Sequence, residues 1–160
     1  MIVKCLHGIN NTDCLVCIDI VKGNKSSNDH WKNLPKEDRK VSRVVLVMAN
    51  GLLAAGQQDL ARELLEESLD QEWDQSLVDI YPDCVVPGRS ALVQIQKVEA
   101  WMMKYPGELA LSLALARICV SQQLWGKAKS TLQGLIHDAK AKPVMKADAH
   151  LCLAGLHEAL

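Results

Sequence analysis

From about residue 31 onward the spacing of apolar and polar positions divides the chain into helical segments, and the densest stretch runs from Pro106 to His137. Over Leu109–Val120, the residues Leu109, Leu111, Leu113, Leu115, Ile118 and Val120 leave only Ser112 and Arg117 clearly polar. A helix that is apolar all round belongs between other elements rather than on a surface. Over Leu124–His137 the pattern is amphipathic: Leu124, Ala128, Leu132, Leu135 and Ile136 face one way, and Lys127, Lys129 and Gln133 the other. The intervening Ser121-Gln122-Gln123 is too short for anything but an antiparallel helix–turn–helix.

Upstream, Pro35 and the charged run after it open a segment whose apolar positions continue from Val41 to Ala55. Its β-branched residues leave a strand open, but its length and the stop at Gly56 favour a helix. Asp59 is placed to cap a helix over Leu60–Leu69, with a stripe of Leu60, Leu64, Leu65 and Leu69. Trp73-Asp74 opens a shorter helix through Leu77, Val78 and Tyr81, stopped by Pro82. Ser90 is placed to cap Ala91–Lys104, with Leu92, Ile95, Val98, Trp101 and Met102 on one side. A Lys-rich loop holding Pro143 leads to a last helix over Met145–Leu160, carrying Ala149, Leu153, Ala154 and Leu156. Residues 1–30 are expected to form an irregular N-terminal segment, and residues 31–160 one helical domain.

Composition sharpens this reading. The chain has 160 residues, no Phe and only 4% aromatics, so its core must be aliphatic, which leans towards helices. The net charge of −1 argues against nucleic-acid binding. Nine acidic residues against Arg62 over 59–83, and five lysines against Asp138 over 127–146, make the charge dipolar along the chain, as suits protein partners or a solvated face. No run reaches the roughly 18 apolar residues of a membrane span, and no signal peptide is read at the N-terminus. Cys119 and Cys152 sit in apolar helical stretches as small hydrophobes, and six cysteines in this pattern fit a reducing compartment.

Two segments share one plan. Leu52 to Leu65 and Cys119 to Leu132 each carry a helix into a short Gln-containing turn, then an Ala (Ala61, Ala128) four residues before a Leu (Leu65, Leu132). Ala61 and Ala128 are 67 residues apart, about two periods of roughly 34 residues. Met48-Ala49, Leu115-Ala116 and Leu153-Ala154 align with one another. Small residues at fixed positions let helices approach closely, and large ones fill the gap. Ala49, Gly56, Ala61, Leu65, Leu115, Ala116, Gly126, Ala128 and Leu132 are therefore the expected packing positions, with Trp73, Trp101 and Trp125 as wedges between successive hairpins.

Further residues carry a family resemblance: Trp31-x2-Leu-Pro, Gly56 with Ala61 and Leu64-Leu65-Glu66, Trp73-Asp-x2-Leu-Val-x2-Tyr81, Glu99-x-Trp101 with Pro106, Arg117, and Leu124-Trp-Gly-Lys-Ala. In these, residues 31–160 resemble the C-terminal tetratricopeptide region of the HemY family, bacterial proteins associated with late protohaem IX biosynthesis. The resemblance implies an all-α, right-handed solenoid of about three helical hairpins. It implies a non-catalytic protein-interaction scaffold whose partners include haem-biosynthesis enzymes. It also implies a cytoplasmic or inner-membrane-associated location. Family members carry two N-terminal membrane helices; none is read here, so a C-terminal part or a shortened member is expected.

For binding chemistry, a concave groove would present Arg43, Asn50, Ser112, Arg117 and His150 to a partner. The alternative is a haem- or metal-handling helical module: Cys5, His7, Cys14 and Cys17 match tetrahedral zinc in number. A single C-x2-C beside Leu15, Val16 and Ile18 fits an apolar segment better, and no C-x-x-C-H haem-attachment motif is present. Neither a flavin-type glycine loop nor a Ser/His/Asp pattern occurs. The expectation is therefore no catalytic residue, no bound cofactor and no enzyme.

Overall fold

The computed structural model describes residues 41–85 and 89–158, and within them it is entirely α-helical apart from one 3-10 turn. The chain divides between Cys84 and Val85 into two compact units.

In the first unit, α1 (Ser42–Ala54) buries Val44, Val45, Met48, Ala49, Gly51 and Leu52. This is the i, i+4, i+7/8 stripe of an amphipathic helix, so the β-branched run resolves as helix rather than strand. Helix α2 (Gln58–Gln71) buries Ala61, Leu64, Leu65 and Leu69 and packs on α1. Its N-cap is Gln57, which makes no side-chain capping bond; Asp59 lies inside the first turn instead of capping it, where its charge still favours the helix N-terminus. Leu60, expected in the buried stripe, is exposed. Asp74 caps α3 (Gln75–Ile80) by accepting a hydrogen bond from Ser76 N at 2.8 Å. Pro82 does not stop the chain dead: it sits within the 3-10 turn Tyr81–Cys84, whose tighter hydrogen bonding tolerates a missing donor.

In the second unit, α4 (Arg89–Lys104) buries Ala91, Gln94, Ile95, Val98 and Trp101. Ser90 lies inside this helix and is not its cap. Leu92, expected on the buried side, is 64% exposed. Helix α5 (Leu109–Ser121) buries Ala110, Leu111, Ala114, Leu115, Ala116, Ile118 and Cys119 and packs against α4, α6 (Trp125–His137) and α7 (Pro143–Glu158). That is the three-sided burial its all-round apolar surface requires. Helix α6 turns Ala128, Leu132 and Leu135 inward and leaves Lys127, Lys129 and Gln133 exposed. Pro143 begins α7 rather than lying in the preceding loop, as suits a residue with fixed φ and no N–H at the first helical position. Ala116, Leu132, Leu135, Ala141 and Ala149 form a continuous core, flanked by half-buried Leu109, Leu113, Ile136, Met145, Cys152 and Leu153.

The α1–α2 and α5–α6 hairpins share one turn, atom for atom. Gly56 (φ 70°) and Gln123 (φ 58°) both take the left-handed conformation. Gly56 N donates to Leu53 O at 3.0 Å and Gln57 N to Leu52 O at 2.9 Å; Gln123 N donates to Val120 O at 3.0 Å and Leu124 N to Cys119 O at 2.9 Å. These paired bonds define a Schellman ending, which satisfies carbonyls that a helix C-terminus otherwise leaves open. Each residue of the second turn lies 67 positions after its counterpart, the offset already read from Ala61 and Ala128.

Candidate binding cleft

The last turn of α4, the first turn of α5 and the outer side of α6 enclose a shallow, open cleft of about 360 Å³. Its apolar floor comes from Met102, Leu109 and Leu135, and Gly134 leaves room beside them. A Cβ built on Gly134 meets nothing within 4 Å, so the glycine leaves a gap that no neighbour fills.

The polar rim is Ser112, Ser130, Thr131 and Asp138. Ser130 and Thr131 both donate their hydroxyl protons to the Lys127 carbonyl, at 3.0 and 2.8 Å. With those protons committed, the two oxygens are left with acceptor capacity only. Asp138 accepts the Lys140 amide proton at 2.7 Å and brings a carboxylate to the same edge. The rim therefore offers hydrogen-bond acceptors, and the floor an apolar surface. The exposed Lys127–Glu99 ion pair braces α6 against α4 on a neighbouring part of the surface.

The expected groove residues are not all brought together. Ser112 lines the cleft. Arg117 is half-buried, and its charge partly offsets the burial that raises the Cys152 thiol. His150 is exposed on α7. Arg43 and Asn50, seven residues apart, occupy the exposed side of α1 in the other unit, and Asn50 Nδ2 donates to the Leu46 carbonyl at 2.8 Å.

Of the expected packing positions, Ala49, Ala61, Leu65, Trp101, Leu115, Ala116, Ala128 and Leu132 are buried, and Trp73 and Trp125 are half-buried. Gly56 acts through its backbone conformation, not through close approach. Gly126 is exposed with open space where a Cβ would stand, so it has no packing role in α6. Thr131, Gly134 and Asp138 were not anticipated. Their only trace in the sequence is a small or polar residue every three or four positions along one side of an amphipathic helix.

Cys5, His7, Cys14 and Cys17 lie outside the described residues, and among those described no group of three or more His, Cys, Asp or Glu side chains could hold a metal. Burial pushes the Cys84 thiol up to about 12, helped by the charge of Asp83, and burial also raises Cys119 and Cys152. Thiols held protonated in this way are poor nucleophiles and poor metal ligands. In the first unit Glu66 Oε1 accepts from both Tyr81 Oη at 2.7 Å and Arg62 Nη1 at 3.0 Å. Burial and that bond to Glu66 raise the Tyr81 phenol far above its ordinary range. This arrangement ties the 3-10 turn to α2. No described helix is long and apolar enough to cross a membrane. No family model, curated protein or solved structure matches the chain.

Proposed function

We propose that the chain is a non-catalytic protein-binding scaffold of tetratricopeptide-like helical hairpins, and that the cleft on α4, α5 and α6 receives a side chain of the bound segment. The single observation that carries this reading is the duplicated turn: two hairpins with the same left-handed residue and the same capping bonds, 67 positions apart. That offset is about two periods of a roughly 34-residue helical repeat. Such repeats stack into superhelices whose surfaces bind extended or helical segments of other proteins. The cleft is at the small end of the range for ligand pockets and open to solvent, which suits one anchoring side chain better than an enclosed small molecule. By its lining it favours a residue with an apolar stem and a donor head. The resemblance to the HemY C-terminal region would make the partner an enzyme of haem biosynthesis.

The test is to select peptides on the purified chain from a random display library and measure their affinity for Gly134→Leu. A Cβ at this position meets no atom within 4 Å, so the longer side chain has room to start from α6 into the cleft, and circular dichroism of the variant checks that the fold is kept. Selected peptides enriched in Lys or Arg beside an apolar residue, and losing at least about tenfold in affinity to this variant, support the reading. Peptides that bind the plugged variant equally well, or no selectable peptide at all, refute it.

A further inference from the structure

Helix α7 is packed on one side and bare on the other. Ala149 and Leu156 are buried, and Met145, Cys152 and Leu153 lean on the core. On the opposite side Val144 is 74% exposed and Leu151 71% exposed. Ala147, Ala154 and Gly155 are exposed between and beyond them. Positions 144, 147, 151, 154 and 155 follow the three-and-four spacing of one helical stripe. A singly exposed Leu needs no explanation, but a stripe of about three turns, apolar except for exposed Asp148 along one edge, does. The repeat period points the same way: Ala149, 33 residues after Ala116, is its counterpart in α7, and both are fully buried in one core, which leaves the stripe on the side of α7 away from it.

Its ends are oppositely charged. Lys140 and Lys142 precede the first turn, and Glu158 closes the stripe on the same side, three residues after Gly155. We propose that this face pairs with the same face of a second copy, the two α7 helices running antiparallel about a two-fold axis at Leu151. In that arrangement Leu151 meets its own counterpart and Ala147 meets Gly155 of the second copy. Glu158 of each chain reaches the Lys140–Lys142 end of the other. A parallel pair would bring the lysine ends together and the Glu158 carboxylates together. The contact is isologous, as a closed dimer requires. Small residues at 147, 154 and 155 flank the Leu151 contact and keep the axes within the usual spacing of roughly 8–10 Å. One helix pair buries less than about 1,200 Å², which places the dimer among weak, concentration-dependent associations.

Sedimentation velocity of the full chain, from low micromolar to roughly 1 mM, tests this directly. A reversible monomer–dimer equilibrium is expected. Leu151→Asp should raise its dissociation constant at least about tenfold while leaving the circular dichroism unchanged, because the side chain is exposed. Glu158→Lys alone and Lys140→Glu/Lys142→Glu alone should each weaken the dimer, and an equimolar mixture of the two should restore it as a heterodimer. The mixture decides the matter even if Leu151→Asp perturbs the helix. A chain that stays monomeric throughout overturns the proposal and leaves the stripe to a helix from a different protein. So does a dimer that ignores both the Leu151 substitution and the charge exchange.

Discussion

Substitution at Gly56 and Gln123 should change stability in opposite directions, although the two residues occupy equivalent positions. Both close a Schellman turn with positive φ, and the hydrogen bonds around them match to within 0.2 Å. A left-handed conformation costs an ordinary L-residue roughly 1–2 kcal/mol and glycine almost nothing. A Cβ added at Gly56 meets no atom within 4 Å, so the effect of Gly56→Ala is torsional and not steric. Against that strain stands the reduced freedom of the unfolded chain, which favours Ala over Gly by about 0.4–1 kcal/mol. Gly56→Ala should therefore destabilise by about 1 kcal/mol.

Gln123→Gly reverses each term: it releases the strain, loosens the unfolded chain, and should be neutral to about 1 kcal/mol stabilising. Asn, which tolerates the left-handed region better than other side chains, should fall between Gly and Ala at both sites. Urea titration followed by far-ultraviolet circular dichroism reads these differences as shifts in midpoint at constant slope. If Gly56→Ala is neutral, or if both substitutions move stability the same way, the turns do not share the conformation from which the duplication is argued.

Three further expectations concern stability. Tyr81 and Cys84 are both held protonated in the folded state above their ordinary ranges. Their contribution is complete below the unfolded thiol's pKa, near 9, and is lost as pH rises from there towards 12. The slope is about 1.4 kcal/mol per pH unit for each group once its unfolded form ionises. Urea midpoints of wild type, Tyr81→Phe and Cys84→Ala across that range should converge as pH rises, and parallel curves would remove the assignment. Gly126→Ala and Gly134→Ala, each within α6 and each adding a methyl to open space, should stabilise by about 0.5–1 kcal/mol in thermal melts. Gln94 is 0% exposed, and among the described residues neither its amide nitrogen nor its amide oxygen has a hydrogen-bond partner. Gln94→Met, similar in shape with no polar group to desolvate, should therefore raise the urea midpoint by an amount worth about 1–2 kcal/mol.

How far the sequence reveals the molecule depends on what each signal measures. Helix α5 was legible in full, because burial on three sides and an all-round apolar surface are one fact seen twice. The hairpin turn was legible at Gly56, where the residue advertises the conformation; at Gln123 only the 67-residue offset carries the information, since Gln by itself gives no sign of positive φ. Helix α4 shows how polarity misleads. Ile95, Val98 and Trp101 define a face that extends backwards to Ala91 and Gln94 as readily as to Leu92, and hydrophobicity alone chooses Leu92. The fold instead buries Gln94 and exposes Leu92. The cleft was the least legible part because it consists of missing volume. Gly134 carries no side chain, and Ser130 and Thr131 spend their protons on their own helix. Such a site becomes visible only when the helices around it are in place, so these hairpins keep their packing residues recognisable while the cleft among them leaves little trace in the sequence.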